Sequence, residues 1–426
     1  AAGETSAPGR TDSGAPGGSG LEPDSSSGET TRGADGDSGP PTDSGSILLD
    51  VGSDTPLPVD CKCGTDEWSY VWLANSSDGT VSKINTETMV EEGRYITRPD
   101  RAGNPSRTSV SVNARSVAVA NRHGGLVKIW ARDAFCDESR NGQPGLQTSS
   151  GAGDVLPWGQ DDCVDWYLPF NDWTTQRPVA WSGRLDEQHC QDEAVWTAGC
   201  GGGFMPGFAD AFSDVEVALV AGLDGSVLDT VIVEGLSCSG FGPYGGAVAP
   251  DGKLWLVINN GDLASIDRDT MQTEVFPPAS ELSPYGLAVD RDGMVWVSSY
   301  ATGFGAGRLD PGTGQWETVP GFSGQGGIAQ SVDGRIWTAY SSGGNGVVWI
   351  DPATMTVGGT LPIPGGSVKG VSGDIHGNVW AVTGVAHKID TATETIVDSY
   401  AGLVTPYTYS DMTGAGIQNT ACEPEG

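Results

Sequence analysis

The chain has 426 residues, 65 of them glycine, and sets 55 acidic residues against only 22 lysines and arginines, for a formal charge of −33. That balance excludes nucleic acid as a partner, because binding the phosphate backbone needs a positive footprint. No run of 18 apolar residues occurs, so no transmembrane segment is expected, and the eight cysteines, even in number and without a zinc-type CxxC pair, read as four disulfides made in an oxidising compartment. Secretion with a leader already removed is the economical reading of a chain that opens on Ala1-Ala2-Gly3.

Residues 1–60 are dominated by Gly, Ser, Thr, Pro and Asp and hold no aromatic residue. Such a composition cannot bury enough apolar surface to offset its ordering entropy, so an acidic tail or linker is expected. It resembles the spacer of bacterial surface lipoproteins, without the acylated cysteine. One apolar patch interrupts it, Ile47, Leu48, Leu49 and Val51 around Asp50. It reads either as a stray patch that docks the tail or as a strand that adds to an exposed sheet edge, on its own chain or on another.

From residue 61 onward the chain is periodic. Trp72 closes the strand of a first repeat, and Val119 takes the same place in a second. An insertion at about 131–175, rich in Gly, Asp and Trp, breaks the period and carries an outer strand at Cys163 to Leu168. A third repeat holds Trp196 and a second insertion at about 182–212, and ends in strands at Val215 to Val220 and Ser226 to Val233. Four clear repeats follow, with tryptophans at Trp255, Trp296, Trp337 and Trp380, spaced by 41, 41 and 43 residues. Each runs from an apolar strand through an Asp/Gly turn into the tryptophan strand, then into a strand ending in Ile-Asp or Leu-Asp. That period is the length of one four-stranded propeller blade.

The seven tryptophan-position strands predict an all-β, seven-bladed β-propeller over residues 61–426. Thr405 to Gly414 reads as one more leading strand without a tryptophan strand after it, and the first repeat lacks a leading strand. Both gaps close if the C-terminal strand completes the first blade, which leaves no free sheet edge. Closure would bring Cys422 near Cys61 and Cys63, so a disulfide from Cys422 to one of that pair is expected. Cys136–Cys163 and Cys190–Cys200 read as local staples of the insertions, with Cys238 taking the remaining partner.

The repeat PxGxxxxxDGxxW…IxRIDPxT, clearest from Gly242 to Thr393, resembles that of the NHL and virginiamycin B lyase-like propellers. The resemblance implies, for the lyase branch, a metal-assisted enzyme with Glu and His just after the tryptophan strands. Here those segments read Trp255-Leu256-Val257-Ile258-Asn259, Trp296-Val297-Ser298-Ser299-Tyr300, Trp337-Thr338-Ala339-Tyr340-Ser341 and Trp380-Ala381-Val382-Thr383-Gly384. None supplies the Glu or His.

Other chemistry is weighed the same way. Asp290-Arg291-Asp292-Gly293 and Asp267-Arg268-Asp269 lack the further oxygen ligands and the closing Glu of a calcium loop, and Asp-Gly is a tight-turn pair. No metal or cofactor site is therefore expected. His376 replaces the usual residue of an Asp/Gly turn, and His123, after Asn121-Arg122, is the one histidine placed towards the upper rim. The rim set before the first-strand glycines is Tyr244, Tyr285, Tyr407 and Lys369, with Gly326 and Thr108 in other blades. The set after the tryptophan strands is Asn75, Asn121, Asn259, Asn260, Tyr300, Tyr340 and Thr383. Phenol rings beside amides suit a glycan or a peptide; the same tyrosines equally suit packing between blades.

The expected function is a secreted or surface-displayed binding or structural module without enzymatic activity, located on a bacterial outer surface. Its partners would be other copies of itself or another surface protein, engaged through the tail. The alternative is an extracellular lyase or hydrolase acting on a glycan or cyclic peptide at the upper mouth.

Overall fold

The computed structural model describes Gly64 and residues 67–182, 193–203, 205–208, 210, 212–238, 240–259 and 261–422. The tail patch Ile47 to Val51, and Cys61, Cys63, Cys190 and Asn260, lie outside these residues. The described residues form seven antiparallel sheets, six of four strands and one of three, each running in chain order from the inside outwards or the reverse. This is a seven-bladed β-propeller.

The inner strands are Pro105–Val110 in blade 2, Thr175–Trp181 in blade 3, Pro243–Val248 in blade 4, Pro284–Val289 in blade 5, Gly324–Gln330 in blade 6 and Gly370–Gly373 in blade 7. Each is short and almost wholly buried, because it faces the axis on one side and the next strand's tryptophan layer on the other. The repeat tryptophans Trp72, Trp196, Trp255, Trp296, Trp337 and Trp380 are among the largest fully buried side chains. At roughly 25 cal/mol per Å² of apolar surface, and with 150–250 Å² per aromatic side chain, this layer dominates the interblade energy.

The Asp/Gly turns have a further use at the lower face, where inner and second strands meet. In blade 5 the Asp290 carboxylate accepts hydrogen bonds from the Asp292 and Met294 main chain at 3.0 and 2.9 Å and from Trp296 Nε1 at 2.7 Å. In blade 7 Asp374 accepts from His376 N, Asn378 N and Trp380 Nε1 at 3.0, 2.9 and 3.0 Å. One buried acid thus folds the turn and orients the blade's tryptophan. The turn reading of Asp290 to Gly293 accounts for every one of these contacts.

Blade 1 has three strands of its own, beginning with Tyr70–Asn75, and residues 405–413 lie along that strand without a regular ladder. An isolated antiparallel bridge joins Asn75 to Pro406, Trp72 N donates to Met412 O at 2.8 Å, and Ala74 N donates to Thr408 Oγ1 at 2.6 Å. Pro406 has no N–H to offer, and Thr405 and Ser410 sit at φ of 44° and 74°, which breaks strand geometry on both sides. The segment ends in a short helix, Ala415–Ala421, packed against the inner strands of blades 4, 5 and 7.

Two disulfides join described residues. Cys136–Cys163 staples the blade 2 insertion, whose outer strand is Val164–Leu168. Cys200 pairs with Cys238, with Cα atoms 6.5 Å apart, and not with Cys190. Strand order explains the correction. The outermost strand of blade 3, Val227–Ser237, runs 11 residues antiparallel to Asp214–Ala221, and the latter runs antiparallel to Ala194–Cys200. Cys200 and Cys238 therefore finish at the same end of one sheet, 38 residues apart in sequence. Cys422 is disulfide-bonded as well. No described helix is long and apolar enough to cross a membrane.

Candidate functional site: an arginine–tyrosine cluster on the propeller axis

The start of each inner strand reaches the upper end of the channel, and there the blades offer one large polar side chain apiece. Blades 4 and 5 supply Tyr244 and Tyr285, and the C-terminal segment supplies Tyr407 and Tyr409. The hydroxyl of Tyr285 lies 2.6 Å from that of Tyr244, 2.7 Å from that of Tyr407 and 2.5 Å from that of Tyr409. Tyr244 and Tyr407 are also hydrogen-bonded to each other. The four phenols close on the axis, with ring centroids 4.5 Å apart for Tyr244–Tyr285 and 4.9 Å for Tyr407–Tyr409.

Blades 2 and 3 supply cations. Arg107, 1% exposed, lies 4.1 Å from the Tyr409 ring centre and 4.8 Å from that of Tyr244, and donates from Nε to Tyr244 O at 3.0 Å. Arg177, 3% exposed, lies 5.1 Å from the Tyr244 ring and donates to Thr175 Oγ1 and to Gly207 O. Arg122, on the loop after the second strand of blade 2, lies 4.4 Å from the Tyr407 ring. Gly207 packs between the last two: a Cβ there would come within 3.6 Å of Arg122 Cδ, and its carbonyl accepts from Arg177.

The electrostatics follow from burial. Three guanidinium groups share one tyrosine cluster, and among the described residues no ion pair joins any of them to a carboxylate. Burial, then repulsion from Arg122, pushes Arg177 down to about 9, and burial lowers Arg122 as well. At about 9, Arg177 remains charged at neutral pH. Burial raises the phenols of Tyr285 and Tyr409 and takes Tyr244 to about 12. Tyr407 is the exception. Burial works against its ionisation, but Arg107 and the hydrogen bonds from Tyr244, Tyr285 and Tyr409 outweigh it and bring the phenol down to about 8.

Of the residues expected at this rim, Tyr244, Tyr285 and Tyr407 come together, and Tyr300 flanks them with its ring centre 4.5 Å from that of Tyr285. Tyr300 is 43% exposed and is the open edge of the cluster. His123 stands at Gly207 on the arginine side, its Nδ1 2.8 Å from Ala102 O, and burial lowers its pKa. Lys369 is half-buried at the corresponding place in blade 7. Tyr340 is half-buried in the packing of blade 6.

Asn75 and Asn121 do not belong to the mouth. Both are fully buried; Asn75 donates to Ser82 Oγ and accepts from Val404 N, and Asn121 donates to Thr97 O. They tie strands together. Thr108 likewise donates to Trp72 O, across from blade 2 to blade 1. Asn259 follows its strand with its main-chain N–H directed to Gly242 O. Thr383 holds its own loop through Val385.

With the fold and the mouth described, known proteins can be set beside them. The sequence matches no known family and no curated protein. Solved structures do match. A streptogramin B lyase is 15% identical over 75% of this chain and 89% of its own, with a TM-score of 0.50. Hydrazine synthase of Kuenenia stuttgartiensis is 13% identical over 72% of this chain and 89% of its own, with a TM-score of 0.51. Citrobacter koseri AztD is 10% identical over 80% of this chain and 97% of its own, with a TM-score of 0.50.

The chain has a virginiamycin B lyase-like β-propeller fold. At these identities the likeness is one of fold alone. On this virginiamycin B lyase-like frame the second strands end in Ile258, Ser299, Tyr340 and Val382. Ser298 is committed to the scaffold, donating to Gly326 O and accepting from Gly286 N.

The residues that sequence reasoning missed are Arg107, Arg122, Arg177 and Tyr409. Arg107 and Arg177 are near the starts of two inner strands, but each strand carries a register shift there, between Pro105 and Arg107 and between Gln176 and Val179. Blades 4 and 5 carry comparable shifts after Pro243 and Pro284, so what differs is the marker: the strands of Arg107 and Arg177 lack the glycine that follows Tyr244 and Tyr285. The available signal was an arginine near the start of two leading strands in a chain that has few.

Proposed function

We propose that this chain is a non-enzymatic binding module, secreted or displayed at a bacterial surface, that holds its ligand at the upper end of the propeller axis. The observation that carries the reading is the convergence of Arg107, Arg122, Arg177 and four tyrosines on that axis, with donor N–H groups left over. Described disulfides agree with an extracellular or periplasmic setting. Residues 1–60 are the segment through which the propeller is joined to other copies or to another surface protein. The cluster is a set of donors and stacking faces, which suits holding a ligand more than transforming one.

Two measurements test the reading. A panel of short glycans and peptides is screened by thermal shift against the whole chain and the Tyr407→Phe variant. A ligand that stabilises the former and loses about tenfold in affinity on the latter supports the site; a ligand indifferent to Tyr407 places binding elsewhere. Removing residues 1–60 should abolish self-association, and an unchanged mass in light scattering would end the assembly part of the proposal.

One observation favours the second reading, a lyase or hydrolase acting on a glycan or cyclic peptide. Tyr407, brought down to about 8 beside Arg107, is a candidate general base. Turnover that rises with pH through that value and vanishes in Tyr407→Phe would replace the binding module by the enzyme.

A further inference from the structure

We propose that the axis cluster is an anion site that takes a carboxylate-bearing ligand, its two oxygens seated on the Nε–Nη2 edge of Arg122 with Arg177 Nε alongside. The inference rests on the reading of the axis as the binding site and adds the chemistry of what binds there.

The starting point is an imbalance. In a chain of net charge −33, with 55 acidic residues available, three guanidinium groups are gathered at the axis and no described carboxylate is paired with them. Elsewhere two buried cations are paired, Arg94 with Glu91 at 2.7 Å and Lys128 with Asp165 at 3.0 Å, and Lys83, which has no ion pair among the described residues, donates a hydrogen bond to Ala131 O. Burying a charge without a partner is costly, and placing like charges together adds repulsion, so such an arrangement persists where something else is gained.

Unfilled hydrogen-bonding capacity locates the ligand. Arg122 Nε and Nη2 and Arg177 Nε are buried and without a hydrogen-bond partner. Nε and Nη2 lie on one edge of the guanidinium plane and direct two parallel N–H bonds, which is the geometry a planar carboxylate accepts bidentately. The remaining donors of Arg177 are fixed, Nη1 to Thr175 Oγ1 at 3.0 Å and Nη2 to Gly207 O at 3.2 Å, so its free Nε is held in place rather than left to rotate. Aromatic faces complete the wall: Tyr407 under Arg122, and Phe241, 5.3 Å from Arg177. Phe241 is 39% exposed, so the apolar body of a ligand has surface to rest on beside the anion.

Tyr407 also reports on the site. Burial opposes its ionisation, but the charge of Arg107 and the hydrogen bonds of the neighbouring phenols bring it down to about 8. A bound anion would offset that charge and move the titration upwards.

The test uses the full chain, and Arg122→Met and Arg122→Lys variants, since Arg122 is less buried than Arg107 or Arg177. Without ligand, Arg122→Met should raise the melting temperature by about 2 °C or more, because it replaces an uncompensated buried charge by an apolar side chain. A lower melting temperature would mean that the guanidinium serves the fold, and would overturn the proposal.

The probes are two matched pairs, glucuronate with glucose and N-acetylglycine with N-acetylglycinamide, plus sulfate and phosphate. Tyrosinate absorbance is followed against pH. At least one of the two carboxylates should raise the lowest-pH tyrosine titration of the wild-type chain, with its neutral counterpart about tenfold weaker or inert. Which pair responds separates a sugar acid from a peptide terminus. Arg122→Lys, which keeps the charge and loses the fork, should bind about tenfold more weakly. Equal binding of acid and neutral partner would leave the axis a binding site and remove the carboxylate. Stronger binding of sulfate or phosphate would also remove it, and no response to either acid would end the proposal whatever the melting temperatures.

Discussion

The two ends of the channel bury opposite charges and treat them differently. At the lower face the buried groups are acids. Asp290 and Asp374 each accept two main-chain N–H groups and a tryptophan Nε1, and Asp411 accepts from Gly414 N at 2.9 Å and Ile417 N at 3.0 Å at the start of the C-terminal helix. At the upper face the buried groups are arginines, and three of their N–H-bearing nitrogens have no partner. A buried charge whose bonds are all made is framework; one whose bonds are left unmade calls for an explanation, and the anion site proposed above supplies one.

Three described acids break the pattern: Asp162 Oδ1 and Asp165 Oδ2 lack a hydrogen-bond partner, although Asp165 is ion-paired with Lys128, and Glu193 goes furthest. Glu193, at the lower end of blade 3, has Oε1 unpartnered, and burial pushes its carboxyl up to about 7 in spite of Lys128 nearby. It belongs with the lower acids by position and with the upper arginines by its missing bonds.

The comparison can be broken from the lower end first. Asp374→Ala strands the Trp380 indole and two main-chain N–H groups inside blade 7, and should cost about 3–4 kcal/mol, read as a shift in the urea midpoint at constant slope. A change below 1 kcal/mol would mean that the turns do not anchor the blades.

Glu193→Gln sharpens the exception. A carboxyl raised to about 7 from 4.5 gives a contribution that is full below pH 4.5 and lost as pH rises through 7. The wild type should therefore lose stability across that window. The amide variant should not, and should be more stable at pH 8 by about 2 kcal/mol, with no difference at pH 4.5. Parallel pH curves would show that the buried acid is solvated.

The smallest effect is expected at the upper end. Tyr285→Phe removes the hydroxyl at the hub of the phenols and should cost about 1 kcal/mol. It also deprives Tyr407 of a donor, so the tyrosine titrating near 8 should move upwards. Because that pKa is depressed in the folded chain, the stability it contributes is present above pH 10 and lost as pH falls through 8. An unmoved titration would detach Tyr407 from the cluster.

How much of this could be read from the sequence divides along the same line. The lower face was legible because its devices are local: Asp290, the glycine after it and Trp296 lie within seven consecutive residues and repeat as Asp374, Gly377 and Trp380. Position along the repeat likewise placed Tyr244, Tyr285 and Tyr407 together. It did not reveal that their hydroxyls turn towards one another. Asn75 and Asn121 occupy a rim position by count, yet both spend their amides on strand partners. Arg107 and Arg177 escaped because their strands lack the glycine that marks the rim position in blades 4 and 5, Arg122 because it lies on a loop, and Cys200–Cys238 because sheet order, not chain distance, decides which ends meet.

The C-terminal helix ties distant blades together. Gly416 and Ile417 line the lower cavity together with inner strands from opposite sides of the ring, including Val179, Leu287 and Ile328. The helix touches the inner strands of blades 4, 5 and 7, and its first turn hangs on the Asp411 carboxylate. One carboxylate near the end of the chain thus works as a linchpin, and loosening it would be felt in three blades at once.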